Sequence, residues 1–259
     1  MLLGPVLLVQ GKRMRRTALR LPEAAGERTG GVAVEGGSCD LRLLFVGDST
    51  MAGVGVAEQT AALACQVASQ LAQRLGRSIR WQLVARSGIN TGQVLKFVNE
   101  YELQPADVLI TALGTNDVLS QRSSRQFVAS YQALIDELLR RVGARCAVVS
   151  GLPPLHLCPA APQPLRWYLG RYAHSLDAHL RRWIGTQQSI TYISLQWATN
   201  PQDLAVDGFH PGERLYAGWA ALVVEGIARL ILNRERGSRT DEDAVLLDGA
   251  ASSESGNFS

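Results

Sequence analysis

The chain has only four cysteines, and none form a C-x-x-C pair or are spaced as metal ligands, so neither a disulfide framework nor a zinc site organises it. Cys65 falls in a helical pattern and Cys146 opens a strand, so both fit buried thiols, and with Cys39 and Cys158 unpaired by any motif the set fits a reducing compartment. No apolar run approaches the roughly 20 residues that cross a bilayer. The net charge is only +3, which speaks against a nucleic-acid partner. Lysine is nearly missing: arginine outnumbers it 24 to 2, a bias that points to a GC-rich bacterial source. The full G-x-G-x-x-G of a dinucleotide loop is missing too. Gly53-Val-Gly55 is followed by Val56-Ala57-Glu58, and the second strand ends at Arg86 without an acidic residue. A nucleotide-binding module is therefore a remote alternative.

What is present belongs to an ordinary globular domain, with 46% hydrophobic and 19% charged residues over a length of 259. Residues 1–38 carry six basic and three acidic side chains and the breakers Gly30-Gly31 and Gly36-Gly37, and read as a basic leader or linker. Residues 237–259 carry one basic and five acidic side chains and read as a disordered tail, which leaves residues 39–236 as the domain. Met1 to Val9 is apolar, but Lys12, Arg13, Arg15 and Arg16 follow the run, the reverse of a signal peptide. Such a segment can rest against an anionic membrane surface. The expectation is a cytoplasmic protein whose membrane contact, if any, is weak, peripheral and made through the leader.

Short apolar runs that stop at turn residues alternate with helical patterns along the domain. Leu41 to Gly47, Ile79 to Ala85, Asp107 to Leu113, Cys146 to Ser150 and Ile190 to Leu195 read as strands. Ala57 to Leu75, Thr91 to Tyr101, Ser124 to Val142, Arg166 to Ile184 and Pro211 to Asn233 read as helices. Five strands alternating with helices predict an α/β fold, a parallel sheet with helices on both faces. Right-handed crossovers then place every strand's carboxyl end on one rim. Ser49, Gly88, Asn116 and the loop from Pro153 to Pro164 all follow strand ends and should converge.

Ser49 closes the first strand, where open α/β sheets place their ligands. A serine hydroxyl needs a base to become a nucleophile. Of the four histidines, His174 and His179 lie five apart on a helix, and His156 sits in the proline-rich loop. His210 stands in Asp207-Gly-Phe-His-Pro211, where the Asp207 carboxylate can take the Nδ1 proton and aim Nε2 at a nucleophile. Simple N-terminal capping explains the same spacing equally well. Gly88, the Asn116 amide and the Ser49 N–H are candidate donors to an oxyanion, although Gly114-Thr-Asn-Asp117 also has ordinary turn composition.

Gly47-Asp48-Ser49, Gly88, Gly114-Thr-Asn116-Asp117 and Asp207-Gly-Phe-His210 together resemble the four blocks of the GDSL or SGNH hydrolases, over roughly residues 41–233. Thr50 replaces the name-giving leucine. The glycine block offers two candidates, Gly88 and Gly92, of which Gly88 is nearer the strand end. The resemblance implies a flavodoxin-like three-layer α/β/α sandwich on a five-stranded parallel sheet. It implies Ser49 as nucleophile, His210 as base, Asp207 as its partner, and Gly88 and Asn116 as oxyanion donors beside the Ser49 N–H. Asp48 is assigned to shaping the turn. The implied activity is hydrolysis of a small-molecule carboxylic ester, as in esterases, lysophospholipases or deacetylases, with no metal or organic cofactor. An inactive relative that only binds acyl or glycan ligands is the alternative. Leu155, Leu157, Cys158, Trp167 and Tyr168 are candidates to wall an acyl pocket.

Overall fold

The structure is a computed structural model and describes residues 3–36 and 40–231. Cys39 and the expected acidic tail lie outside the described residues. Six strands form one sheet: Thr29–Val32 (β1), Leu41–Gly47 (β2), Ile79–Ala85 (β3), Val108–Ala112 (β4), Cys146–Ser150 (β5) and Ile190–Ile193 (β6). Their order is β1-β3-β2-β4-β5-β6, with every pair parallel except β1 against β3. Without β1, the sequence of strands is the flavodoxin-like 2-1-3-4-5, which turns back on itself between β2 and β4. The register sets Gly47 opposite both Ala85 and Ala112, so three neighbouring strands end at one level. The segments that leave them form the rim on which the site is built.

The strands are apolar throughout because both faces of the sheet are covered. Leu43 and Phe45 pack on one side against Leu63–Leu75 (α2) and a carboxyl-terminal helix at residues 213–231 (α7). Leu44 and Val46 pack on the other against Thr91–Val98 (α3), Ser124–Val142 (α5) and Leu165–Ile184 (α6). This is the expected three-layer sandwich. Local signals set several boundaries. Ser123 and Gln126 form a reciprocal capping box that starts α5. Gly76 closes α2 in the left-handed conformation, with its N–H on the Ala72 carbonyl.

The amino-terminal segment differs from expectation. Rather than a leader, it holds helix Leu3–Thr17 (α1) and strand β1, which adds an antiparallel edge to the sheet. Strand β1 (Thr-Gly-Gly-Val) is held by its backbone, and Gly30 leaves room for the Trp81 ring, so no side-chain alternation marks it. Helix α1 is tied to the domain by Gln10, which donates to the Gln163 carbonyl at 2.8 Å and accepts from the Leu165 N–H at 3.1 Å. Leu7 and Met14 lie about two turns apart on the same face and rest on the core. Two smaller departures also appear. Gly114-Thr-Asn-Asp117 opens a short helix, Thr115–Leu119 (α4), and α2 begins at Leu63 after a 3-10 turn at Gln59–Ala61.

Candidate active site

Strand β2 delivers Asp48 and Ser49 to the rim. Asp48 is buried, and its Oδ1 accepts from the Thr50 N–H at 3.0 Å and the Thr50 hydroxyl at 2.9 Å. The carboxylate thus folds the turn that presents Ser49, as expected from sequence. Burial is the largest influence on Asp48 and pushes its pKa up to about 6; the Thr50 bonds and the charge of His210 oppose it, and Asp117 adds to it.

The Asp207–His210 turn arrives from the other end of the chain. Oδ1 of Asp207 accepts the N–H groups of Phe209 and His210, each at 3.0 Å. Oδ2 faces His210 Nδ1 at 2.6 Å. One carboxylate therefore closes a backbone turn with one oxygen and orients an imidazole with the other, so both meanings of the D-x-x-H spacing are realised. Helix α7 begins only at residue 213, beyond this turn. Burial by itself raises the Asp207 pKa; the bonds from the His210 ring and from the two backbone N–H groups outweigh it and hold the carboxyl below its ordinary value. On its far side, His210 Nε2 stands 2.9 Å from Ser49 Oγ, across 161 residues of sequence. Ser49, His210 and Asp207 form one continuous hydrogen-bonded chain.

Gly88 and Asn116 line the same cavity as Ser49. Gly88 follows β3 with φ +80°, a conformation that disfavours any side chain, and open space faces its missing Cβ. Among the described residues no acceptor engages the N–H of Ser49 or of Gly88. The Asn116 amide, in α4, donates to the Ile89 carbonyl at 3.0 Å and reaches Asp48 Oδ2 at 3.3 Å. Gly92, the other glycine in that block, lies in α3 against the Arg122 guanidinium and is absent from the cavity wall.

These groups open into a cavity of about 550 Å³ with a mostly apolar lining. The proline-rich loop contributes Pro153, Leu155, Leu157 and Cys158, as anticipated. Burial pushes the Cys158 thiol up to about 11, which keeps it protonated and passive. Trp167 and Tyr168 do not take part: Trp167 is exposed on α6, and the Tyr168 hydroxyl binds the Gln121 side chain. Sequence reasoning missed Met14, Leu19 and Leu21 on one wall and Leu204, Phe209 and Trp197 on another. Only tertiary folding brings those segments to the rim, and apart from Phe209, which lies within Asp207-Gly-Phe-His210, no motif marks them. His156, His174 and His179 are exposed and line none of the cavity. Among the described residues no three His, Cys, Asp or Glu side chains gather as metal ligands do.

The glycines of Gly53-Val-Gly55, the trace of a nucleotide loop, have a packing role here. Gly55 lies against the Pro211 carbonyl and lets the serine turn meet the histidine turn.

The chain is 30% identical over 190 residues to a GDSL-like esterase of Mycobacterium tuberculosis, an alignment that covers 68% of this chain and 58% of that protein. It therefore spans a little under three fifths of the length of this curated relative. Two solved structures share the fold at low identity. A lipase from a goat rumen metagenome gives a TM-score of 0.60 at 17% identity, covering 72% of this chain and 97% of the lipase. A carbohydrate acetylesterase family member from Sinorhizobium meliloti gives 0.55 at 14%, covering 73% and 98%. Residues 45–217, from the middle of β2 to the first turns of α7 and so including every group of the hydrogen-bonded chain, match the GDSL-like lipase/acylhydrolase family, and the chain belongs to it.

Proposed function

We propose that the protein is a carboxylic ester hydrolase that works through an acyl-enzyme on Ser49. The observation that carries this reading is the unbroken chain Ser49 Oγ–His210 Nε2, His210 Nδ1–Asp207 Oδ2, at 2.9 and 2.6 Å, on the floor of an apolar cavity. Ser49 Oγ attacks the ester carbonyl while His210 Nε2 takes its proton, forming a tetrahedral intermediate. Asp207 holds the ring in the tautomer that leaves Nε2 free to accept, and it stabilises the imidazolium. The unengaged N–H groups of Ser49 and Gly88, with the Asn116 amide, surround the site of the developing oxyanion. His210 then gives the proton to the leaving alcohol and later draws one from water, which releases the acid and regenerates Ser49.

The lining argues for the acyl side of the substrate. Leu155, Leu157, Leu204 and Phe209 offer contact to an alkyl chain, so esters with several methylenes fit better than acetyl groups. A fluorophosphonate probe tests the nucleophile. Ser49 is expected to be labelled, and Ser49→Ala to lose both labelling and turnover of p-nitrophenyl esters. A folded protein that is neither labelled nor turns over any such ester would overturn the proposal and leave a ligand-binding relative in its place.

A further inference from the structure

We propose that helix α1 seats the protein on an anionic lipid surface with the mouth of the Ser49 cavity at the level of the lipid headgroups, so that its substrate is an ester dissolved in that surface. The substrate clause rests on the hydrolase reading above; the docking clause does not.

The helix is segregated along its axis. Its first half exposes Leu3, Val6, Leu8 and Val9, the last two at 67% and 66%. Five of the ten large hydrophobic side chains exposed among the described residues lie in the first nineteen positions: these four and Leu19. A protein in water gains nothing from such a concentration. Its second half carries Lys12, Arg13 and Arg16, all exposed. Among the described residues no acidic group pairs with any of the three. Basic residues near a helix carboxyl end also complement the helix dipole, but that effect does not account for the apolar turns before them.

The charge and the apolar surface together select the partner. At 1.5 Å per residue, Leu3 to Val9 extends roughly 5 to 14 Å beyond Lys12. Val6 to Val9, about 5 to 9 Å beyond Lys12, falls within the roughly 5–10 Å to which apolar faces sink below lipid headgroups, and this leaves the basic turn among the phosphates. A protein partner has no reason to demand this axial order of apolar then cationic groups, whereas an anionic bilayer has the same order with depth.

The same element reaches the cavity. Met14 and Arg15 in the last turns of α1, and Leu19 to Leu21 just after it, form one wall. Leu19 both lines the cavity and is exposed, which places it at the rim. The Arg15 guanidinium donates to the Leu119 carbonyl at the end of α4, the helix that carries Asn116, so the wall is pinned to the site. A lipid surface that receives α1 therefore lies beside the opening, and an acyl chain can pass from bilayer to cavity with little exposure to water.

The test is sedimentation of the full chain with vesicles of phosphatidylcholine alone and of phosphatidylcholine with phosphatidylglycerol, read beside turnover of soluble p-nitrophenyl acetate. Binding is expected to the anionic vesicles, and to weaken between about 0.1 M and about 1 M salt as screening predicts. Each basic side chain near such a surface is worth about five-fold in affinity. Lys12→Glu/Arg13→Glu/Arg16→Glu should therefore bind about 100-fold less or weaker still, and Leu8→Asn/Val9→Asn about 30-fold less or weaker still. Both variants should retain soluble-ester turnover, since none of these residues lines the cavity. Both should lose hydrolysis of p-nitrophenyl octanoate dissolved in anionic vesicles in step with binding. Failure to bind anionic vesicles, binding indifferent to the charge reversal, or self-association through α1 in its place would overturn the docking. Vesicle binding without turnover of any ester would uphold the docking and overturn the hydrolase reading.

Discussion

Nδ2 of Asn116 lies 3.3 Å from Oδ2 of Asp48 and 3.0 Å from the carbonyl oxygen of Ile89, so both protons of that amide face acceptors. The buried carboxyl that shapes the serine turn also orients the amide across the cavity floor. The bond to Asp48 is the longer of the two, and in the proposed mechanism it is the one the oxyanion shares or displaces.

Asn116→Ala removes one of three proposed donors. Loss of a single oxyanion donor costs on the order of 100- to 1000-fold in turnover. The expected outcome is a fall of that size in kcat on p-nitrophenyl esters, with little change in KM and an unchanged circular dichroism spectrum.

Asp48 makes stability depend on pH in a defined direction. Its folded pKa of about 6 lies above the ordinary 3.8, so the folded protein keeps a proton that the unfolded chain has lost. Stability therefore falls as pH rises from about 4 to about 6, by about 3 kcal/mol for a shift of about two units. The lowered Asp207 carboxyl acts only below its ordinary value, outside this window. Asp48→Asn should flatten the decline, as urea unfolding at pH 4 and pH 7 measures; equal slopes in both proteins would count against a protonated Asp48.

Asp207→Asn keeps an oxygen for the backbone N–H groups of Phe209 and His210 but presents an amide to Nδ1. The ring then protonates at Nε2 and cannot accept from Ser49. A loss on the order of 10⁴ in kcat is expected, as for other triads so altered, with the protein still folded.

Gly55→Ala would place a Cβ 2.1 Å from the Pro211 carbonyl, at φ +109°. Relief requires the backbone at Pro211, immediately after His210, to shift relative to the serine turn. The expected cost is about 2–3 kcal/mol of stability, seen as a drop of about 5 °C or more in Tm, together with lost turnover at temperatures where the variant is folded.

Acyl chain length reads the cavity directly. Burying one methylene is worth about 0.8 kcal/mol, or about four-fold when contact is complete. Between acetyl and octanoyl p-nitrophenyl esters, kcat/KM should climb about two- to four-fold per methylene. An optimum at acetyl would show that the Leu155, Leu157 and Phe209 surface does not receive the acyl chain.

Strands β3 and β5 and helix α5 were readable to the residue, because the apolar pattern of a strand and the one-sided apolar stripe of a helix are local features. Strand β1 was not readable, because Thr-Gly-Gly-Val owes its structure to the edge of β3 rather than to its own side chains. Helix α1 was not readable as part of the domain, because Leu7, Gln10 and Met14 find their partners only after α6 and the Gln163 loop are in place. The short α4 was hidden by its turn-like composition; it forms where the Asp117 carboxylate is buried and held by the Thr91 N–H and hydroxyl.

The sequence by itself determined the identity of Ser49, the Asp207–His210 pair and the strand ends that carry them, because a turn of four residues and the period of a strand are short-range matters. Only the tertiary structure decided that Ser49 meets His210 across 161 residues, that Gly88 rather than Gly92 faces the cavity, and that α1 and Leu19 form its wall. Those relationships depend on how the layers pack on the two faces of the sheet, and no local pattern encodes a distance between segments so far apart in the chain.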